Sequence, residues 1–319
     1  MAILVGIDEA GFGPLLGPLV VSSTTFSLPG DLLKSDLWEV LRKSLSNSRK
    51  RLAGRLLVVD SKKAFTRSLG IKHLERTVLA SLKCLGEEPA TLAELMGVLC
   101  PDCIERLDTY PWYAGVDARP LAGDGADRDL ASSVLAEDLA SNSMKLLDLA
   151  SCCLDVAYYN RMVAAMKNKA NVLFSTTSRL IKRACDRFSG DDLHILIDRQ
   201  GGRVHYRRHL QMVFGELELK ILRESATTSS YELRAAGKRM RLHFAVGADG
   251  RFLPVSLASM VSKYLRELQI GNINRYFAGF CADLKPTAGY WKDGLRFVEE
   301  IRANLPHVKI DQSQLVRSR

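Results

Sequence analysis

The stretch Gly6-Ile7-Asp8-Glu9-Ala10-Gly11-Phe12-Gly13-Pro14 decides how this chain is read. Two adjacent carboxylates close an apolar run, Ala2-Ile3-Leu4-Val5, and a glycine-rich bend follows at once. A second apolar run, Leu19-Val20-Val21, leads into Ser22-Ser23-Thr24-Thr25-Phe26. That order predicts strand, tight turn, strand. Aspartate and glutamate are poor strand formers. A pair of them at the end of a buried strand is therefore a local conflict, and such conflicts mark places where chemistry overrides local preference.

The chain has 319 residues and a hydrophobic fraction of 47%, enough for one large domain with a sizeable core. No apolar run approaches a membrane span and the N-terminus lacks a basic-then-apolar signal pattern, so a cytoplasmic protein without a membrane partner is expected. The formal net charge of +9 favours a polyanionic partner. Arg49-Lys50-Arg51, Arg203 with Arg207-Arg208, and Lys238-Arg239 with Arg241 are basic clusters that would suit nucleic acid or simply face solvent. Seven cysteines argue against a disulfide framework. Cys100-Pro101-Asp102-Cys103 has zinc-knuckle spacing but no second pair, and free thiols are expected.

Along the chain, Pro29-Gly30 turns into a helical pattern over about 31–45, with Leu32, Leu33, Leu37, Val40 and Leu41 on one face. Leu56-Leu57-Val58-Val59 predicts a short buried strand ending in Asp60-Ser61-Lys62-Lys63, and a helix is expected over about 71–85. Residues 86 to about 132 read as less regular, with a Pro- and Gly-rich loop at 110–128. Helical periodicity resumes near 133 through Leu135, Leu139, Met144, Leu147 and Leu154, a stretch that includes Cys152-Cys153, and again over 159–188. His194-Ile195-Leu196-Ile197-Asp198 is an apolar strand ending on an aspartate, and Gly201-Gly202 turns the chain. A short helix near 207–214 and strands near 217–223, 230–233 and 240–246 follow, the last two joined by a basic hairpin turn at Ala236-Gly237-Lys238. Gly247-Ala248-Asp249-Gly250 is a turn bearing an aspartate, and helices are expected over about 254–270 and 291–304.

Asp8-Glu9, Asp198 and Asp249 share one pattern: a carboxylate where an apolar run breaks off. Strands ending on one side of a sheet would gather all four. Such a cluster repels itself in a low dielectric and calls for hard cations, Mg²⁺ or Mn²⁺. Two such ions suit phosphodiester hydrolysis. From spacing alone, Asp198 and Asp249 could equally be turn-initiating residues.

The opening motif resembles that of type 2 ribonucleases H, the ribonuclease HII family, which reads G-[IV]-D-E-A-G-R-G-P, and the match runs on into Gly17-Pro18-Leu19-Val20-Val21. Asp60-Ser61-Lys62-Lys63 is similar to the family's D-S-K-K segment, and Ile195-Leu196-Ile197-Asp198 to its L-I-D strand. Ala248-Asp249-Gly250-Arg251 with Val255-Ser256-Leu257-Ala258-Ser259-Met260-Val261-Ser262-Lys263 resembles its A-D-x-K…V-S-A-A-S-I-x-A-K stretch, and Gly289-Tyr290 its G-Y. The matches occur in family order over most of the chain.

The resemblance implies an α/β, ribonuclease H-like fold: a mixed central sheet with helices on both faces and a helical C-terminal part. It implies one catalytic domain over 1–305, with insertions near 86–132 and 200–245, and a short basic tail at 306–319. It also implies metal-dependent endonucleolytic cleavage of RNA in RNA–DNA hybrids, or at ribonucleotides embedded in duplex DNA, by a monomer. Asp8, Glu9, Asp198 and Asp249 carry over as catalytic metal ligands for a two-metal site of Mg²⁺ or Mn²⁺. Gly11, Phe12, Gly13, Lys62, Lys63, Lys263 and Tyr290 carry over as substrate-binding residues. The glycine turn would read the ribose 2′-hydroxyl, the group that separates RNA from DNA, and the tyrosine would stack on the sugar.

Two departures bear on the substrate. Phe12 stands where the family has arginine, and Arg199 where it has glycine. They keep open a nuclease of the same fold acting on DNA or structured junctions. A non-catalytic nucleic-acid-binding module is the other alternative, although no carboxylate is missing at the matched positions. Glu224 is a rival fourth ligand, and Glu267 is expected to be structural or to support the ligands from behind.

Overall fold

The computed structural model of the chain describes residues 1–66, 68–114, 120, 121, 123, 125–188, 192–235 and 238–318. Nine strands form among them: β1 (Ala2–Ala10), β2 (Leu19–Leu28), β3 (Leu45–Ser46), β4 (Leu56–Leu57), β5 (Lys145–Leu154), β6 (Asp192–Asp198), β7 (Glu218–Glu224), β8 (Thr228–Ala235) and β9 (Lys238–Ala245). Seven make one sheet in the order β5-β2-β1-β6-β9-β8-β7, and β3 and β4 pair separately. The sheet is mixed: β1 is antiparallel to β2 but parallel to β6, and β6 is parallel to β9. Helices cover both faces, so the expected α/β architecture is the one formed.

Alternation along the strands sorts the core into two layers. Ile3, Val5, Ile7, Ile195 and Ile197 face one cluster, which the helices Val156–Met166 and Lys169–Arg187 close. Leu4 and Phe26 face the larger cluster, with the helices Lys72–Cys84, Leu253–Ala278 and Trp291–Asn304. The Leu253–Ala278 helix is buried nearly all round, as a helix enclosed by other elements must be. It approaches β1 so closely that a Cβ on Gly6 would lie 2.1 Å from the Pro254 carbonyl carbon. Thr24 on β2 donates its hydroxyl to the Pro254 carbonyl at 2.7 Å, which fixes where the helix begins.

Local structure departs from the sequence expectations in three places. The 31–45 stretch divides into a 3₁₀ turn (Gly30–Lys34), one turn of α-helix (Leu37–Val40) and β3. The break falls where the Asp36 side chain caps the second piece by accepting from the Trp38 amide. Residues 86–132 hold more helix than expected, including Leu92–Leu99 and the start of Gly125–Ser141. The stretch at 145–154, read as helical, is strand β5, so Cys152 and Cys153 lie in a strand paired with Val21 and Val20. None of the seven cysteines, all among the described residues, forms a disulfide. The expected hairpin turn at Ala236-Gly237 lies outside the described residues. Among the described residues no helix is long and apolar enough to cross a membrane.

Candidate active site

The carboxylates collect at the carboxyl ends of three neighbouring parallel strands. Asp8 and Glu9 end β1 and Asp198 ends β6, with Ile7 and Ile197 in register. Asp249 sits in a 3₁₀ turn (Ala248–Gly250), four residues beyond the last residue of β9. The two-residue period sets Asp8 and Asp198 on the face of the Leu253–Ala278 helix and alternates Glu9 to the other. Hydrogen bonds brace the cluster. The Ala248 amide donates to Asp198 Oδ1 at 2.7 Å, tying the Asp249 turn to β6, and the Glu9 amide donates to Asp8 Oδ1 at 2.8 Å. From the long helix, the Ser262 hydroxyl donates to the Asp8 carbonyl at 3.0 Å and pairs with the Ser22 hydroxyl at 2.8 Å, while the Ser259 and Ser61 hydroxyls pair at 3.0 Å.

Burial and mutual repulsion set the protonation of these groups. Burial, then the charges of Glu9 and Asp198, pushes the Asp8 carboxyl well above its usual range, against a hydrogen bond from Ser259. Burial and then the Asp198 charge raise Glu9 to about 8, with the Lys62 ammonium opposing. Burial raises Asp198 to about 6 even though the Ala248 amide stabilises its charge. Asp249 is raised by burial and next by Asp60, again with Lys62 opposing.

Among the described residues, no group of three or more histidine, cysteine, aspartate or glutamate side chains is gathered so as to hold a metal ion. The carboxylates feel one another's charge without being drawn onto a common point. The donor set still suits a hard divalent cation: it is all oxygen and all acidic, and a cation can replace the protons that burial retains.

Asp60 is the residue that sequence reasoning passed over. After burial its carboxyl is the next largest cause raising the proton affinity of Asp249, and its other role is to cap the Ser61–Ala64 turn by accepting from the Lys62 amide at 2.9 Å. The cap motif was visible in Asp60-Ser61-Lys62-Lys63, but nothing local signalled that this turn meets Asp249. The same cap presents Lys62 to three of the carboxylates. Lys63 is exposed and lines no described cavity.

The glycine turn is anchored from behind. Gly11 has φ +91°, and a Cβ there would stand 2.5 Å from the Pro18 carbonyl oxygen. The Leu15 and Leu16 amides both donate to the Gly289 carbonyl, at 2.8 and 3.1 Å, which brings Tyr290 beside the turn. Tyr290 is 52% exposed, and the buried Arg266 guanidinium lies 5.5 Å from its ring centroid. Lys62, Phe65, Lys263, Lys285 and Tyr290 line a groove of about 650 Å³. Lys263 itself is buried, paired with Glu267 at 2.7 Å and held over the Phe65 ring. Gly13 and Phe12 instead line a separate cavity, with Lys169 5.3 Å from the Phe12 ring centroid.

The rival and departing residues have other work. Glu224 accepts from the Tyr231 hydroxyl and bonds His205 Nδ1 at 2.7 Å, on the strand at the sheet's edge. Glu267 is held by Lys263 and Arg266. Arg199 turns to the bend at 225–229, donating to the Ser225 carbonyl at 2.9 Å, so its bulk is directed away from the carboxylates.

Fold and site together define an α/β protein with an acidic cluster at the carboxyl edge of a mixed sheet. Among solved structures it is similar to the ribonuclease HII of Archaeoglobus fulgidus, solved in complex with PCNA: 17% identity, 99% of this chain and 94% of that one, TM-score 0.48. It is also similar to the ribonuclease H2 of Pyrococcus horikoshii, at 14% identity over 98% of this chain and 92% of that one, TM-score 0.47. The ribonuclease H3 of Aquifex aeolicus gives 14% identity over 98% of this chain and 71% of that one, TM-score 0.42. No family model and no curated protein matches the chain.

Proposed function

We propose that this chain is a divalent-cation-dependent endoribonuclease that cleaves the RNA strand of RNA–DNA hybrids, or cuts at ribonucleotides embedded in duplex DNA. One observation carries the reading: Asp8, Glu9, Asp198 and Asp249 lie at the ends of adjacent parallel strands or in the turn that follows, and the charges of Glu9, Asp198 and Asp249 all raise the proton affinity of Asp8. A structural role does not account for four clustered acidic groups, Asp8 buried and the other three partly so, beside a lysine-lined groove. The ordered resemblance of the motifs to ribonuclease HII supports the same conclusion.

In this reading Asp8 and Asp198 are the central ligands, and Glu9 and Asp249 complete the set. Mg²⁺ or Mn²⁺ held there would neutralise the cluster and the scissile phosphate and make water a stronger nucleophile. The chain's own residues do the rest. Ala248 and Ser262 hold the Asp198 side chain and the Asp8 backbone in place. Gly11 leaves the backbone bare where a sugar approaches, Tyr290 offers a face for stacking, and Lys62 and Lys263 line the groove. In-line attack of water on phosphorus leaves a 3′-hydroxyl and a 5′-phosphate.

The test is cleavage of matched duplexes that are all RNA–DNA hybrid, all DNA, or DNA with one ribonucleotide, with Mg²⁺ or Mn²⁺. Ribonucleotide-dependent cutting is expected, and Asp8→Asn should abolish it while hybrid binding persists. Equal cutting of all-DNA duplex moves the substrate to DNA. No cutting by wild type with either ion leaves a binding module.

A further inference from the structure

A second cavity, of about 450 Å³, opens behind the glycine turn, bordered by Phe12, Gly13, Tyr159, Lys169, Trp291 and Arg317. Arg317 reaches it because the chain returns after the Trp291–Asn304 helix: Val316 bridges Leu16, and the Arg317 amide donates to the Leu15 carbonyl at 2.9 Å. The residue is only 4% exposed. One Nη donates to the Gly11 carbonyl, and the group lies 3.9 Å over the Tyr159 ring. Nε and the other Nη are buried with no hydrogen-bond partner among the described residues.

Buried guanidinium nitrogens without partners are costly and call for an acceptor. Among the described residues no carboxylate borders the cavity. Burial lowers its pKa only to about 10, and it stays charged at neutral pH. Lys169 adds a second cation, held 5.3 Å from the Phe12 ring centroid. Lys169 and Trp291 are also the first residues of two helices of 19 and 14 residues, whose N-terminal ends favour anions.

We propose that this cavity is a phosphate site that takes one phosphodiester of the bound nucleic-acid strand outside the scissile position. The proposal rests on the nuclease reading above. It makes Arg317 a sensor of strand placement: the same guanidinium that would grip the phosphate is bonded to the Gly11 carbonyl, so an occupied cavity orders the turn that faces the sugar. The shared chemistry also fits a free phosphate, and the experiment separates the two.

Binding of a labelled hybrid to the full chain is measured in EDTA, with single neutral methylphosphonates placed at successive positions of each strand. One position should weaken wild type by about tenfold or more, the worth of a charge-assisted hydrogen bond, and should be silent in Arg317→Gln. Lys169→Gln should show a partial loss at the same position and a shallower salt dependence. The melting temperature of each variant checks folding, and Lys169→Gln carries the comparison if Arg317→Gln does not fold. Inorganic phosphate is titrated in parallel, read by tryptophan fluorescence. Equal losses in wild type and variants at every position overturn the proposal. Arg317-dependent phosphate binding without a sensitive position also overturns it, by making the ligand a free phosphate. If wild type binds no hybrid, the nuclease reading fails with the strand assignment, and the phosphate titration alone shows whether the cavity binds anions.

Discussion

Replacing Asp198 by asparagine should make the cation-free protein more stable, and the structure gives the size of the gain. The carboxyl is raised from 3.8 to about 6, with burial the largest cause. A carboxyl whose folded pKa exceeds its unfolded one contributes stability in full below the unfolded value and loses it as pH rises through the folded value. The relevant window therefore runs from about pH 4 to above pH 6. Two units at about 1.4 kcal/mol each put the penalty at roughly 3 kcal/mol in wild type at pH 8. Asparagine carries no charge, and its Oδ1 can keep accepting from the Ala248 amide, the bond that ties the Asp249 turn to β6. A chain of 319 residues has an unfolding entropy near 0.7 kcal/mol/K, so Asp198→Asn should raise Tm by about 4 °C. The assay is differential scanning calorimetry in EDTA at pH 8 and at pH 4. The gain should be present at the first pH and shrink towards zero at the second. Mg²⁺ should raise the Tm of wild type more than that of the variant. A variant that melts at or below wild type at pH 8 in EDTA would refute the claim that the cluster is held under electrostatic strain.

Two further predictions follow from single contacts. Gly6→Ala should destabilise by more than about 3 kcal/mol in chemical denaturation, because its Cβ would meet the Pro254 backbone rather than a movable side chain; a loss under about 1 kcal/mol would mean that the long helix is free to shift. Lys62→Gln should move the acidic limb of the pH–rate profile upward, since Lys62 lowers the proton affinity of Glu9, Asp198 and Asp249; an unmoved limb would show that its charge is screened from the cluster.

Much of this molecule is legible in local sequence because local sequence is where the cause lies. The Lys72–Cys84 and Trp291–Asn304 helices have strong periodicity and sit where the pattern puts them. β1 and β6 are apolar runs that cannot be stable except in a sheet buried on both faces. β5 was misread for a physical reason. Lys145-Leu146-Leu147-Asp148-Leu149-Ala150-Ser151-Cys152-Cys153-Leu154 satisfies helical and strand spacing alike, and the deciding partner, β2, lies more than a hundred residues away.

The candidate site divides along the same line. That Asp8-Glu9, Asp198 and Asp249 end apolar runs was readable from the chain alone, because a charge at a strand terminus is a local conflict. That they lie within reach of one another's charge depended on β1, β6 and β9 lying side by side and parallel, a matter of long-range pairing. The approach of Asp60 to Asp249, and of Arg317 to the glycine turn some three hundred residues earlier, has no local signature at all. Sequence by itself determined which groups carry charge and where strands end, since those follow from residue type and period. Only the tertiary structure decided which charges meet, because Coulomb interaction and burial depend on distance through space.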